Sequence, residues 1–274
     1  VLLSVALEGD TAVIDASRVI DGSINPELYV FIRSGLTWNQ QQELIPVDGT
    51  GKNQQSRRII DLSGNTVVSG SWHQNPSGEK VNVFVRSGTT WTEQQELVPD
   101  DGSAYNSAMY YNMFGHSVAI DGDTVLIGAR NRDDNGRQSG AAYVFVRSNT
   151  TWTQQQKLVP SDGKEQDFFG ETVALDGDTA VIGALRADSL YIFVRSGTTW
   201  TQQQKLVAND GLAGDEFSNS VAIDGDTLVS GAWQSVGVNS TTRYVGSVYI
   251  FQFSENPCDA STAPTDGSVG NCTS

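Results

Sequence analysis

Cysteine is almost missing from this sequence: Cys258 and Cys272 are the only two, and both fall near its end. A disulfide framework therefore cannot hold the bulk of the chain, which has to be stabilised by a buried core. Long apolar runs are missing too, and without about 18 consecutive apolar residues no segment reads as a membrane-spanning helix. Basic residues are scarce, 17 Lys and Arg against 32 Asp and Glu, for a formal charge of −15. That charge repels polyphosphate and anionic lipid alike, so nucleic acid is not an expected partner. Histidine occurs only as His73 and His116. Neither has a nucleophile-elbow context, no His-Glu-X-X-His spacing exists, and the many carboxylate pairs look like surface charge. On that inventory the chain is not expected to be an enzyme. A signal peptide and an initiator methionine are both missing at Val1, so the chain reads as processed or cut from something longer.

What is present is repetition. Twenty-eight glycines punctuate short runs rich in Val, Ile, Thr, Tyr, Phe and Trp, a mix that favours strands and turns. The stretch Phe114–Gly163 matches four other segments, and the turn glycines Gly9, Gly64, Gly122, Gly177 and Gly225 set the spacing at 55, 58, 55 and 48 residues. The copies run over about 1–49, 50–102, 103–163, 164–211 and 212–253. A period near 50 with several short strands in each unit belongs to the propeller group of repeat architectures.

Within a unit the period is two. Val118 and Ile120 alternate with small or polar residues, Asp121-Gly122 supplies a tight reversal, and Thr124–Gly128 returns. Ala141–Arg147 reads as a third strand with Tyr143, Phe145 and Arg147 on one face and Val144 and Val146 on the other. Thr151–Val159 reads as a fourth, with Trp152, Gln154, Gln156 and Leu158 on one face. The expected fold is all-β: a β-propeller of four-stranded antiparallel blades that bury their faces against one another. The fifth copy has no Trp-Gln segment.

The residues Phe114-Gly115, Gly128-Ala129 and Ala142-Tyr143-Val144-Phe145 resemble the FG-GAP repeat, the blade unit of the integrin α-chain propeller and of many secreted proteins. Phe169-Gly170 with Gly183-Ala184, and Phe217-Ser218 with Gly231-Ala232, repeat the signature; the first two copies have lost the Phe-Gly pair. The resemblance covers residues 1–253. It implies seven blades where five are visible, so the chain is either a closed five-bladed ring or part of a larger one. Its two ends look cut rather than capped, which favours the second.

Family blades of the integrin kind often bind Ca²⁺ in the first hairpin. Here that hairpin holds only two carboxylates, too few for a Ca²⁺ shell, so Asp121, Asp123, Asp176, Asp178, Asp224 and Asp226 read as turn residues. The one cation candidate is the loop with Asp133, Asp134 and Asn135; no other cofactor is implied. Asp162 with Asp167, and Asp210 with Asp215, read as Asx-turn residues bonding backbone amides in the connections. Arg33, Arg86, Arg147 and Arg195 close strand three in four copies and are expected to pair with a neighbour's carboxylate or stack on Trp. Trp38, Trp91, Trp152 and Trp200 repeat once per copy and cover blade faces. Trp72 and Trp233 occur outside that pattern and are the candidates for stacking on a sugar.

The Gln-rich fourth strands, with few charges, are weakly protected edges, and self-assembly through them is one expectation. Asn149, Asn239 and Asn271 open glycosylation sequons. Residues 254–274 read as a linker or the start of a Cys-rich module, in which Cys258 and Cys272 could form a disulfide. These features point to an extracellular or cell-surface adhesion or scaffold propeller with a protein partner. A glycan-binding module and an accessory domain of a secreted enzyme are the alternatives.

Overall fold

A computed structural model describes residues 2–20, 23–46, 58–71, 79–102, 111–234 and 246–253. Blade 1 is built from β1 (Leu2–Glu8), β2 (Thr11–Ile20), β3 (Ser23–Ser34) and β4 (Thr37–Leu44). Blade 2 follows with β5 (Arg58–Ser63), β6 (Thr66–Ser71), β7 (Lys80–Ser87) and β8 (Thr90–Leu97). Blade 3 contains β9 (Phe114–Asp121), β10 (Thr124–Ala129), β11 (Ala141–Ser148) and β12 (Thr151–Leu158). Blade 4 has β13 (Phe169–Asp176), β14 (Thr179–Ala184), β15 (Ser189–Ser196) and β16 (Thr199–Val207), with a 3-10 turn at Leu185–Ala187. Blade 5 shows three strands among the described residues, β17 (Phe217–Asp224), β18 (Thr227–Ala232) and β19 (Ser247–Gln252). Every blade is an antiparallel meander in chain order, so the fold is the expected all-β propeller.

The hairpins form where Asp-Gly and its variants allow them. All five turn glycines take φ between +53° and +57°, which the primed turns require. At the Phe-Gly pair, Phe114 packs edge-on against Tyr143 and Phe145 at 5.4 and 6.2 Å, and Phe169 and Phe217 repeat this against their own strand-three aromatics. Gly170 sits at φ +89°, and its carbonyl lies against Gly128 of blade 3 so closely that a Cβ there would collide with it. Gly-Ala of one blade and Phe-Gly of the next are thus two halves of one joint.

Strand four departs from simple alternation. In β12 the pairing with β11 slips between Val144 and Phe145, so Gln155 bulges out of the ladder. The same slip falls at Gln41, Gln94 and Gln203. A bulge switches the faces. Trp152 therefore packs toward blade 2 while Leu158 packs toward blade 4, and the two do not share a face as strict alternation predicts.

The bulge also gives the glutamines their role. Trp91 donates its indole N–H to Gln41 at 3.0 Å, and its backbone N–H and C=O meet the Gln42 side chain at 2.8 and 2.7 Å. Trp152 does the same with Gln94 and Gln95, and Trp200 with Gln155 and Gln156. Gln41, Gln42, Gln94, Gln95, Gln155 and Gln156 are thus engaged by the next blade of the same chain, whereas Gln203 is exposed and bonds Thr201 of its own strand.

Two further links recur between blades. Arg86, Arg147 and Arg195 each donate to a threonine of the preceding blade (Thr11, Thr66, Thr124), bond the hairpin residue of their own blade (Asn65, Asp123, Asp178) and stack on Trp. The carboxylate belongs to the same blade; the neighbour supplies the threonine. The turn amides of Gly177 and Gly225 donate to Asp121 and Asp176 at 2.7 and 2.6 Å, so these aspartates tie blade to blade as well as shaping turns.

Apolar clusters fill the spaces between blades 1 and 2, 2 and 3, 3 and 4, and 4 and 5. Among the described residues no such cluster joins blade 5 to blade 1. Val5 and Leu7 on one flank, and Val248 and Ile250 on the other, are 59–71% exposed.

Candidate functional site

Most residues that repeat between copies are engaged between blades, Arg33, Trp38 and Gln203 being exposed exceptions. Those that differ between copies gather at the opposite end of the blades from the Asp-Gly hairpins, where strand one begins and strand two leaves. There the column after Gly-Ala holds Arg130, Leu185 and Trp233, and the column after Phe-Gly or Phe-Ser holds His116, Glu171 and Asn219.

Blades 3 and 4 bring five of these side chains together. Arg130 reaches Glu171 at 2.5 Å, and His116 Nε2 lies 3.8 Å from the same carboxylate while its Nδ1 is 3.2 Å from the Glu171 carbonyl. Phe168 immediately precedes the Phe-Gly pair and adopts φ +57°, which turns its ring out of the strand. The Arg130 and Arg186 guanidiniums both lie over that ring, at 4.8 and 5.7 Å. Among the described residues no carboxylate pairs with Arg186, and the buried Nε of Arg130 has no partner. The group is an aromatic platform carrying two guanidiniums and one carboxylate. The Arg130 Nε is buried, so it is the exposed Arg186 guanidinium that presents its planar fork of N–H donors, which suits a carboxylate or phosphate.

The rim beside it is self-satisfied. Asp101 accepts from Tyr143, from Lys157 at 2.7 Å and from Arg132 at 2.5 Å. Burial works to raise the Asp101 carboxyl, but the Lys157 hydrogen bond and the Arg132 charge outweigh it and hold it below the usual range. Asp162 repeats the pattern with Lys205 and Tyr191, whose phenol is pushed up to about 12, chiefly by burial. Tyr249 donates to Asp210 at 2.8 Å. Asp162 and Asp210 thus bond tyrosine hydroxyls of the next blade, while Asp167 and Asp215 accept backbone amides as Asx turns do.

The proposed cation ligands are placed as follows. Asp133 accepts the Gln138 amide at 2.7 Å, Asp134 pairs with Lys157 and Arg132, and Asn135 donates its side-chain amide to the Pro160 carbonyl. Among the described residues no three His, Cys, Asp or Glu side chains are grouped so as to hold a metal ion. Trp233 is exposed, with its indole N–H directed to Glu216. Asn149 occupies a strand three to strand four turn at φ +57°, where blades 1, 2 and 4 have Gly35, Gly88 and Gly197, and it is exposed. Trp72, His73, Asn239, Asn271, Cys258 and Cys272 lie outside the described residues. Sequence reasoning did not single out Phe168 or Arg186. Comparing the copies column by column, rather than looking for motifs, shows that they differ at this corner.

Among solved structures the chain is similar to a Lactobacillus plantarum protein, at 13% identity and a TM-score of 0.55, covering 92% of this chain and 70% of that one. It is also similar to a Bacteroides fragilis protein provisionally named a 6-phosphogluconolactonase, at 12% identity and a TM-score of 0.59, covering 91% and 66%. A third is the periplasmic gluconolactonase of Pseudomonas aeruginosa, at 13% identity and a TM-score of 0.53, covering 84% and 67%. The chain spans about two thirds of the length of these structures. No curated protein matches it in sequence. At such identities the likeness is one of fold, yet it corrects one expectation. Proteins named as lactonases share this architecture, so the inference that the chain is not an enzyme does not stand. The FG-GAP repeat model matches residues 91–145, 152–197 and 200–251, together more than half of the sequence. The chain therefore belongs to the FG-GAP repeat family.

Proposed function

We propose that this propeller is a binding module that docks a protein partner on the end face around Phe168, with an acidic side chain of the partner meeting Arg130 and Arg186. The observation that carries the reading is the pair of guanidiniums over one ring, with Arg186 exposed and paired with no carboxylate among the described residues, in a chain whose repeated Arg86, Arg147 and Arg195 are engaged between blades. Arginine and aromatic residues are the usual anchors of such interfaces. Action at a cell surface is part of the proposal, supported by the exposed sequon at Asn149. Fluorescence anisotropy with an acidic and a basic peptide of equal length tests it. The acidic peptide should bind in a salt-sensitive way, and Arg130→Ala/Arg186→Ala should abolish binding. Preference for the basic peptide, or binding indifferent to the double substitution, would refute the reading.

A second reading, hydrolysis of a sugar lactone, is favoured by His116 and Glu171 standing beside Arg130, since a carboxylate, an imidazole and a guanidinium can serve as base and oxyanion partner. Turnover of gluconolactone and its 6-phosphate by the parent, lost in Glu171→Gln, would support it. Turnover equal to the spontaneous rate would remove it.

A further inference from the structure

Among the described residues His116 is the only histidine, and it stands in the joint between blades 3 and 4. In its column blade 4 has Glu171 and blade 5 has Asn219. Blade 3 alone of these three therefore carries there a side chain whose charge ordinarily changes between about pH 5 and 8.

The backbone around the ring is fixed on both sides. The His116 amide donates to the Met113 carbonyl at 3.0 Å, and the Ser117 hydroxyl donates to the Gly170 carbonyl of blade 4 at 2.9 Å. The imidazole accordingly lies against blade 4, with Nδ1 3.2 Å from the Glu171 carbonyl and Nε2 3.8 Å from Glu171 Oε1. A carbonyl oxygen only accepts, so Nδ1 carries the proton of the neutral ring and Nε2 turns a lone pair toward the carboxylate. A second proton, on Nε2, converts that approach into an ion pair. The His116 and Glu171 side chains are 17% and 13% exposed, so solvent and salt screen the pair little.

Charged groups reach this stretch from the elements packed on it. Arg130, which follows β10, holds the other Glu171 oxygen at 2.5 Å. Glu79, which precedes β7, accepts the Met113 and Phe114 amides behind His116, and the Arg132 charge acts on it. Arg186 shares the Phe168 ring with Arg130. Two guanidiniums and one carboxylate leave the platform with one positive charge; an imidazolium at His116 makes it two.

We propose that His116 is a pH switch on this end face: its imidazolium offsets the charge of Glu171, and the Phe168 platform then holds an acidic partner more tightly in mildly acid than in neutral solution. The inference rests on the docking function proposed above and adds its regulation.

Anisotropy of the acidic peptide at about pH 5.5 and about pH 7.5, at constant ionic strength, tests it; carboxylates in the peptide stay largely charged over that range. The parent should bind about fivefold more tightly at the lower pH, the effect of one added charge close to the ligand near a protein surface. In His116→Asn the ratio should fall to about one. Asn219 fills the same column in blade 5, so the fold accepts the change, which circular dichroism checks. Glu79→Gln should keep the ratio, because Glu79 is engaged behind the Met113 and Phe114 amides rather than at the platform. Equal binding by the parent at both pH values, or a ratio kept in His116→Asn or lost in Glu79→Gln, would overturn the switch while leaving the docking reading in place. Absence of binding at both pH values would instead overturn the docking reading, and the regulation with it. A second readout needs no peptide: followed by NMR, the His116 ring should lose its charge at lower pH in Glu171→Gln than in the parent, since the carboxylate that favours the charged ring is gone. A titration indifferent to Glu171→Gln would overturn the switch.

Discussion

Replacing Gln155 with alanine removes the acceptor that holds the Trp200 indole N–H at 2.9 Å. Trp200 is 2% exposed, so water cannot take over that bond. An unsatisfied buried donor costs roughly 1–3 kcal/mol, and the expected loss of stability is about 2 kcal/mol. The chain supplies its own control. Gln203 sits on the corresponding bulge but bonds only exposed Thr201, so Gln203→Ala should cost less than about 0.5 kcal/mol. Urea unfolding, with all transitions recorded because repeat arrays need not unfold in one step, reads both values. Equal costs at the two positions would show that the glutamine contributes to its own strand rather than to the joint between blades, and the account of the bulge would fail.

Other outcomes follow from the same structure. Arg147→Lys should cost about 1 kcal/mol by losing Thr66 and the stack on Trp152. Arg33→Lys should cost less, because among the described residues no threonine of another blade meets Arg33, and its pair with Asp10 and its stack on Trp38 are both exposed; thermal melts compare them. Burial raises the Glu79 carboxyl to about 7, against the pull of the Phe114 and Met113 amides and the Arg132 charge. The folded chain then keeps a proton that the unfolded chain releases near 4.5, so this contribution to stability is full in acid and fades as pH rises from there to about 7. Glu79→Gln should flatten that part of the profile relative to the parent, measured as the difference in melting temperature at about pH 5 and about pH 7.5. Expression through a eukaryotic secretory route should add a glycan at Asn149, seen as a mass loss on peptide-N-glycosidase treatment and absent in Asn149→Gln.

Much of the architecture can be read from the sequence because it rests on local chemistry. Asp121-Gly122 dictates a hairpin, and alternation in Ala141–Arg147 assigns Tyr143 and Phe145 to one face and Val144 to the other, as the core clusters show. The fourth strand was misread for a physical reason. A one-residue bulge at Gln155 leaves no mark in composition, yet it reverses every face beyond it. The partners of the glutamines lie 44 to 58 residues away, so the sequence shows a polar edge where the structure shows a joint. Trp38 makes the point from the other side: its local sequence is close to that of Trp152, yet it is 39% exposed, and among the described residues no glutamine of another blade meets it. The end-face group was less legible still. Arg130, Phe168, Glu171 and Arg186 come from three different segments and match no motif; Phe168 shares its left-handed backbone with Met113 and Glu216 in the same column, and it is its ring that meets the two guanidiniums.

The central claim is that repeated residues hold the blades together while the residues that differ between copies do the binding. Hydrogen-exchange mass spectrometry, with and without the acidic peptide, tests it most directly. Protection should rise across residues 128–137 and 165–188, which carry Arg130, Phe168, Glu171 and Arg186, and stay unchanged at the Asp121–Thr124 and Asp176–Thr179 hairpins on the opposite end. Protection at those hairpins instead, or equally at both ends, would contradict the claim.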